Sequence, residues 1–338
     1  MARKTVVCRF QKPNKKKLEA VEREYRNTQK YLQGEDDVDL YSATKQQMDR
    51  RAGNEDNEQP LFIRNDSFEV VERDTDLTKY WVRVPVASVY GGVWIPIQPH
   101  TDIQSGWDIG DSMIVRKDHG FELHLVVKKE VEEQEEYDGA LGVDLGLRKL
   151  ATATECFCGS DTSSKTLCLG SSVENYFDKY FHLRRNCRDG YVRKRWDGKV
   201  ADKTEDLCHQ ISRKIVDHAQ ENNLFIAVGD LEGIQDKDRG KRMNRKLHHF
   251  PHWKLRNYIR YKADWEGIRV VEVDEAYTSQ TCSRCGEKGE RNKGNFQCPE
   301  CDYETDADKN ASHNIGERGI GKLNASSDSE GCVTQPLV

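Results

Sequence analysis

Two closely spaced cysteine pairs near the carboxyl end constrain the fold of this chain most strongly. Cys282 and Cys285 form the first pair, Cys298 and Cys301 form the second, and twelve residues lie between the pairs. Four thiolates from two such pairs favour a closed tetrahedral Zn²⁺ site, which is structural because no coordination position stays open for a substrate. A redox-active pair does not explain why two pairs occur in tandem. We therefore predict a zinc ribbon over about residues 278–304.

Composition limits the class of protein without identifying a partner. The chain has 338 residues, a formal net charge of -5 and eleven cysteines. The cysteines outside the two pairs form no secreted disulfide framework, so we expect reduced thiols. No run of about 18 apolar residues is present, and Met1 is not followed by an apolar signal core. These absences predict a cytoplasmic protein with no membrane partner. Because the bulk charge is acidic, a nucleic acid has to be bound by local basic tracts.

Carboxylates stand next to the predicted zinc ribbon. Asp306 and Asp308 follow it directly, where a helical pattern starts, and Asp144 lies between an apolar strand and Gly146. Metal-dependent phosphodiester hydrolysis uses carboxylates that hold two Mg²⁺ ions about 3.5–4 Å apart. The plainer alternatives are a strand-terminating turn for Asp144, a turn residue for Asp306 and a helix N-cap for Asp308. Their occurrence together favours a metal pair formed by Asp144 and Asp308.

The pattern of apolar residues divides the chain into two domains. Residues 61–129 contain runs that alternate apolar and polar positions, and residues 15–51 have apolar residues at helical spacing. Residues 1–137 are therefore predicted to form a small β-barrel with a short helical insertion at about 15–51. Residues 138–320 alternate strands and helices, which predicts an α/β domain. Its predicted strands are 140–144, 149–154, 166–170, 224–228 and 269–273; its predicted helices are 172–223 (interrupted near Gly190 and Gly198), 235–265 and 308–319. Residues 321–338 are polar and small, which predicts a disordered tail.

Several short motifs follow one another in a particular order along residues 138–319. They are Gly142 to Gly146, a long basic helical pair, Val228 to Leu231, an aromatic and basic run from Trp253 to Lys262, the first cysteine pair from Thr278 to Gly286, and the run from Asp308 to Ile315. In this order the motifs resemble TnpB, the OrfB-type RNA-guided nuclease of insertion sequences. That family is related to type V CRISPR effectors and to the eukaryotic Fanzor proteins. The first third of the chain is similar to it only in outline.

The resemblance implies a fold, a chemistry and partners. The fold is a RuvC/RNase H-like α/β nuclease domain with an inserted four-cysteine zinc ribbon, preceded by the β-barrel. The metals are structural Zn²⁺ and catalytic Mg²⁺, the latter bound by Asp144 and Asp308. The partners are an omega-type guide RNA and a double-stranded target DNA beside a short adjacent motif, which implies a nucleoid-associated protein.

One position departs from the family. In most of its members the catalytic glutamate directly precedes the aspartate of an Asp-Leu pair, and here that position is Gly229. In the first alternative, Glu275 restores the site, as a relocated glutamate does in Fanzor and some TnpB-like proteins. Glu275 follows a strand that is expected beside the strand of Gly229. The plainer interpretation of Glu275 is a solvated acid at the end of a strand. In the second, Asp230 or Glu232 substitutes, although Asp230 should point to the opposite face. In the third, the nuclease is inactive. The sequence keeps both Asp144 and Asp308, which an inactive nuclease would be free to lose, and this favours the first alternative.

Two basic tracts with interleaved aromatic residues predict a channel for RNA and DNA. Neutralisation of phosphates supplies affinity, and aromatic rings stack on unpaired bases. The plainer alternative is a solvated, salt-bridged helix face, because acidic residues lie near the first tract. The candidate nucleic-acid-binding residues are Arg193, Lys194, Arg195, Arg239, Arg242, Arg245, Lys246, Trp253 and Arg256.

Together these features predict an RNA-guided, Mg²⁺-dependent DNA endonuclease with Asp144, Glu275 and Asp308 as its catalytic acids. Two alternatives remain open. One is a nuclease-dead, RNA-guided DNA-binding repressor, and the other is a zinc-stabilised RNA-binding protein with vestigial acids. Because the helical insertion is short, one copy should hold a full guide–target duplex poorly, and we expect a homodimer.

Overall fold

The computed structural model describes residues 1–35, 37–51, 58–146, 148–157, 165–171, 173–230, 251–292 and 294–326. The chain divides into two compact units, Met1–Glu130 and Val131–Val338. Among the helices in these described ranges, none is long and apolar enough to cross a membrane.

Antiparallel strands form the sheet of the first unit. They are β1 (Ala2–Phe10), β2 (Leu61–Ile63), β3 (Glu69–Glu72), β4 (Tyr80–Val84), β5 (Val93–Pro99), β6 (Asp108–Ile109), β7 (Ser112–Lys117) and β8 (Gly120–Lys129). The hydrogen-bonded order is β2-β7-β8-β1-β5-β4-β3, and β6 pairs with β8. Alternate residues are buried along β4 and β7, as in a sheet with one face on a core. In the part of the chain that is described, no pairing joins β2 to β3, so closure into a barrel stays a prediction.

The helical insertion of the first unit consists of two helices rather than one. They are α1 (Lys15–Leu32) and α2 (Ser42–Arg51). The Asn14 side chain caps α1 by accepting the Lys16 N–H at 3.0 Å. Between the helices, the buried Glu24 carboxylate accepts the Tyr41 N–H at 2.7 Å and so anchors the connection. Burial of that carboxyl raises its pKa.

A mixed five-stranded sheet forms the centre of the second unit. Its strands are β9 (Gly139–Asp144), β10 (Ala151–Phe157), β11 (Thr166–Leu169), β12 (Leu224–Asp230) and β13 (Val270–Asp274). The order is β11-β10-β9-β12-β13. The first three strands along the chain are antiparallel, whereas β12 and β13 run parallel to β9. The carboxyl ends of β9, β12 and β13 therefore meet at one edge of the sheet.

Helices flank this sheet. In the described ranges they are α3 (Val173–Asn186), α4 (Gly190–Glu221), α5 (His252–Glu266) and α6 (Ala307–Ser326). The predicted break near Gly190 is present, because Asp189 accepts two backbone N–H groups and starts α4 there. The predicted break at Gly198 is wrong. An isolated glycine costs a helix only about 1 kcal/mol, and α4 continues through it.

The ends of the second unit differ from the predicted boundaries. The first unit ends at Glu130 rather than at residue 137, because the acidic segment that follows packs on the second unit. Tyr137 is 1% exposed, accepts the Arg269 N–H at 2.8 Å and meets the Phe225 ring edge-on. At the other end, α6 continues to Ser326, into the predicted disordered tail, because Leu323 is buried in the core. Residues 327–338 of that tail lie outside the described residues.

A small antiparallel sheet connects the core of the second unit to its last helix. Its strands are β14 (Glu290–Asn292), β15 (Asn295–Gln297) and β16 (Glu304–Asp306), and α6 follows β16 without a gap. Helix α6 then crosses the central strand β9 at very close range. A Cβ atom at Gly142 would overlap the backbone of Ser312 and Gly316. This contact holds the start of α6 near the carboxyl end of β9.

Candidate metal centre

Four cysteine sulfurs converge beside the small sheet. The Sγ atoms of Cys282 and Cys301 are 3.7 Å apart, and those of Cys285 and Cys298 are 3.5 Å apart. All four lie within 4.8 Å of one another. A tetrahedral Zn²⁺ with Zn–S bonds of about 2.3 Å separates its sulfurs by about 3.8 Å, so this spacing fits such an ion. The predicted four-cysteine cluster is present and is compatible with zinc, and the buried Phe296 packs against it.

Acidic residues meet at the carboxyl edge of the mixed sheet. Parallel pairing aligns Val228 of β12 with Val143 of β9, directly before Gly229 and Asp144. Glu275 follows the last residue of β13, the strand on the other side of β12. The sheet order therefore brings Asp144, Gly229 and Glu275 to one place, although they are far apart in sequence.

The carboxyl group of Glu275 occupies the space that a side chain at position 229 would take. A Cβ atom built on Gly229 would overlap the Oε1, Cγ and Cδ atoms of Glu275. Glycine at this position is thus a steric requirement of the Glu275 rotamer. The Glu275 carboxyl lies beside Gly229, close enough to Asp144 for the two charges to repel.

Burial and mutual repulsion perturb both of these carboxyl groups. Burial, reinforced by the Asp308 charge, raises the pKa of Asp144 to about 7. Burial, reinforced by the charges of Asp144 and Asp230, raises the pKa of Glu275 to about 8. The Oε1 atom of Glu275 is also buried without a hydrogen-bond donor. An unsatisfied buried acceptor among like charges is a site where a divalent cation relieves the electrostatic cost.

Asp306 and Asp308 have different roles at the start of α6. Asp306 caps the helix, since its Oδ1 accepts the N–H groups of Asp308 at 3.0 Å and Lys309 at 3.2 Å. The N-cap role considered for Asp308 thus belongs to Asp306. The Asp308 side chain is 14% exposed and is held by two cations: Arg291 of β14 donates to it at 3.0 Å, and the Lys149 Nζ lies 3.6 Å away.

The acids have the chemistry that suits a hard divalent cation, because carboxylate oxygens are the donors that Mg²⁺ prefers. The carboxylate oxygens of Asp144, Glu275 and Asp308 are spaced more widely than the four cysteine sulfurs. Among the described residues, two groups of ligand-type side chains have all their donor atoms within 4.8 Å of one another. One is the four-cysteine cluster, and the other consists of Cys156, His313 and Glu317. Cys156 is a packing residue: burial raises the pKa of its thiol, which donates to the carbonyl oxygens of Thr154 and His313.

The other predicted candidates fall into three sets. Lys194 and Arg195 are exposed on α4, close to Tyr191, and Trp253 at the start of α5 is 70% exposed. Arg193 and Arg256 are engaged within the protein. Arg193 donates to the Cys187 carbonyl at 2.6 Å, and Arg256, only 15% exposed, pairs with Asp230 at 3.2 Å. Outside the described residues lie Glu232, Arg239, Arg242, Arg245 and Lys246.

Sequence reasoning did not identify Lys149 and Arg291 as neighbours of the acids. Lys149 donates to Asp306 at 2.8 Å across 157 positions of sequence. Although burial acts in the opposite direction, this hydrogen bond holds the pKa of Asp306 below its usual value. Arg291 lies between the cysteine pairs, where a basic residue is unremarkable. No local pattern distinguishes either residue, because each contact depends on the assembled sheet.

The chain is similar to several known proteins. A family model described as the Cas12f1-like, TNB domain matches residues 252–315, which include the cysteine cluster. The CRISPR-associated endodeoxyribonuclease Cas12f2 of a Micrarchaeota archaeon is 33% identical over 219 residues, 59% of this chain and 40% of that protein. A TnpB-like protein of Methanocaldococcus jannaschii is 32% identical over 124 residues, 36% of this chain and 45% of that protein. The chain thus spans less than half the length of these relatives.

Solved structures show the same class of fold. The cryo-EM structure of a Cas12f1–sgRNA–target DNA complex has a TM-score of 0.54 at 14% identity, covering 80% of this chain and 67% of that one. At this identity the likeness concerns the fold alone: a mixed α/β fold of the kind found in Cas12 effectors. Together with the relatives, it confirms the resemblance to TnpB-type proteins that the motifs indicate.

Proposed function

We propose that this protein is an RNA-guided, Mg²⁺-dependent DNA endonuclease of the TnpB type. One observation carries the proposal: the Glu275 carboxyl fills the space beside Gly229 and lies next to Asp144. In this proposal, Glu275 supplies at the carboxyl edge of the sheet the acid that most TnpB-type proteins carry at the position of Gly229. This supports an intact set of acids over the nuclease-dead alternative.

The topology of the second unit supports a RuvC/RNase H-like nuclease domain. Three antiparallel strands are followed by two strands parallel to the first, with β9 in the centre. The acids lie on the ends of β9 and β13 and on the first turn of α6. The small sheet with its four-cysteine cluster is the inserted zinc ribbon, in which Zn²⁺ has a structural role.

Asp144, Glu275 and Asp308 are the proposed Mg²⁺ ligands. Bound Mg²⁺ would supply an activated water and stabilise the leaving oxygen of the scissile phosphodiester. The buried edge of the sheet keeps the carboxyl groups of Asp144 and Glu275 close together at the cost of raised pKa values. Lys149 and Arg291 balance the charge of Asp308 until a cation is bound.

An omega-type guide RNA and a double-stranded target DNA are the proposed partners. One relative is named a CRISPR-associated endodeoxyribonuclease, and the fold neighbour is a complex with sgRNA and target DNA. On this chain, the exposed Lys194, Arg195, Tyr191 and Trp253 offer charge for phosphates and rings for unpaired bases. Guide–target pairing would choose the sequence, and the protein would read shape and a short adjacent motif.

The deciding experiment uses protein co-expressed with the DNA that flanks its gene, so that a guide RNA copurifies. The complex is incubated with a matched target library in Mg²⁺, beside Asp144→Ala and Glu275→Ala. Glu304→Ala removes an exposed acid of β16 and serves as the control. We expect cleavage by the parent and the control, and a loss of at least about 10³-fold in both acid variants, since each removes a metal ligand.

Other outcomes assign other functions. Cleavage lost with Asp144→Ala alone would keep the nuclease and reject Glu275 as the third acid. A parent that retains matched DNA through RNA without cutting it would be a guided repressor. RNA binding without matched DNA retention would leave a zinc-stabilised RNA-binding protein.

A further inference from the structure

Two buried asparagines of α6 direct their amide groups at the same pair of carbonyl oxygens. The Asn314 Nδ2 donates to the carbonyls of Thr278 and Thr281, at 2.8 Å each. The Asn310 Nδ2 donates to Thr281 at 2.7 Å and to Thr278 at 3.4 Å. Asn310 is 1% exposed and Asn314 is 9% exposed. Since buried carbonyls without donors are costly, these contacts hold the turn at residues 278–281 against α6.

Glu275 lies three residues before that turn and is hydrogen-bonded to it. Both the backbone N–H and the hydroxyl of Thr278 donate to the Glu275 carbonyl, at 3.1 and 2.9 Å. Between them, Tyr277 has a φ of 64°, a left-handed conformation that is unfavourable for a bulky residue. Such a conformation persists only where the surroundings impose it. The two asparagines supply that restraint from outside the turn.

The same stretch of α6 contacts the zinc ribbon and carries the third acid. The Asn310 Oδ1 accepts the Ser283 N–H at 2.9 Å, directly after Cys282. Asp308 lies half a turn before Asn310 on the same helix. One short stretch of helix therefore contacts the turn after Glu275 and the first cysteine pair, and itself carries Asp308.

We propose that Asn310 and Asn314 are positioning residues that keep the Glu275 carboxyl group in a fixed position relative to Asp308. The inference rests on the proposed function, in which both acids bind Mg²⁺. The asparagine side chains hydrogen-bond to the backbone of Thr278, Thr281 and Ser283. Their amides fix the turn so that the Glu275 carboxyl remains in the space beside Gly229, and loss of an amide lets the carboxyl move away from the other acids.

The test compares Asn314→Leu with Ser312→Ala. Both residues are buried on α6, but Ser312 hydrogen-bonds to Lys309 and Thr154 and does not touch the turn. Asn314→Asp, which keeps the side-chain shape and loses the donors, serves if Asn314→Leu fails to fold. Three quantities are measured on the guide-bound protein: hydrogen exchange over residues 275–283, the Mg²⁺ concentration at half-maximal cleavage, and RNA-dependent retention of matched DNA.

We expect faster exchange over the turn, a higher Mg²⁺ midpoint and about 10- to 100-fold slower cleavage in the Asn314 variants. DNA retention should not change, and Ser312→Ala should match the parent in all three measurements. Unchanged hydrogen exchange over residues 275–283 would contradict the proposal that the asparagines restrain this turn. Faster exchange with an unchanged Mg²⁺ midpoint would reduce the asparagines to a structural role. If the parent does not cleave, the proposed function fails instead, and Mn²⁺ binding by electron paramagnetic resonance replaces cleavage as the test of positioning.

Discussion

In the proposed site, Gly229 and Glu275 divide between two positions what one glutamate does in most TnpB-type proteins. The glycine provides the space and the glutamate provides the carboxyl group, so each residue is explained only by the other. This reciprocity predicts that the acid can be returned to β12. In the double variant Gly229→Glu with Glu275→Ala, the new side chain enters the space that the old one left.

We expect the double variant to cleave at least about tenfold faster than Glu275→Ala alone. Gly229→Glu with Glu275 intact should lose cleavage, because the two side chains overlap. Cleavage rates of guide-bound protein at saturating Mg²⁺ measure both effects. A double variant no faster than Glu275→Ala, with DNA retention intact, would argue against a shared position.

The raised pKa values at this edge also predict a pH dependence of stability. With no Mg²⁺ added, the folded state keeps protons on Asp144 up to about pH 7 and on Glu275 up to about pH 8. The unfolded chain releases them near the ordinary values of 3.8 and 4.5. The folded state therefore binds more protons within this window, and the free energy of unfolding should fall as the pH rises from about 5 to 8.

Calorimetric melting between pH 5 and 8 checks this expectation. Glu275→Gln should show a smaller decrease in Tm than the parent, since its amide does not titrate. Mg²⁺ should raise the Tm of the parent most at the alkaline end, where the carboxylates are ionised and bind metal best. Identical slopes for parent and variant would contradict the origin assigned to the effect.

At the scale of elements, the contact between β9 and α6 determines whether the acids of both can meet. Gly142→Val places a side chain into the backbone of α6 at Ser312 and Gly316. We expect a loss of about 3 kcal/mol in the stability of the second unit and a loss of cleavage, because overpacking moves the helix that carries Asp308. The matched control is Gly198→Ala, an open position on α4, which should gain up to about 1 kcal/mol. Calorimetry distinguishes the two, and an unchanged Tm in Gly142→Val would refute the close packing.

At the scale of the whole molecule, the helical insertion consists of α1 and α2 alone among the described residues. These two helices of 18 and 10 residues offer little surface along a guide–target duplex. We therefore expect two copies of the chain on each guide RNA. Light scattering of the RNA-bound particle measures the stoichiometry, and a single-copy complex with full affinity for matched DNA would refute the homodimer.

Features with a local cause could be predicted from the sequence. The cysteine spacing predicted the four-cysteine cluster, and the apolar run before Asp144 predicted the central strand. Features that depend on contacts between distant parts of the chain could not be predicted. The end of the first unit, for example, depends on where Tyr137 packs. The cations around Asp308 depend on contacts between β14, the segment before β10 and α6.

The order of these pieces along the chain has a consequence during synthesis. Asp144 leaves the ribosome long before Glu275, and α6 follows both. Until that helix has emerged, β9 lacks the partner that covers Gly142, and the turn after Glu275 lacks its asparagine donors. Under the proposed function, a nascent chain that still lacks α6 has no assembled acid site, and we expect it not to cut DNA.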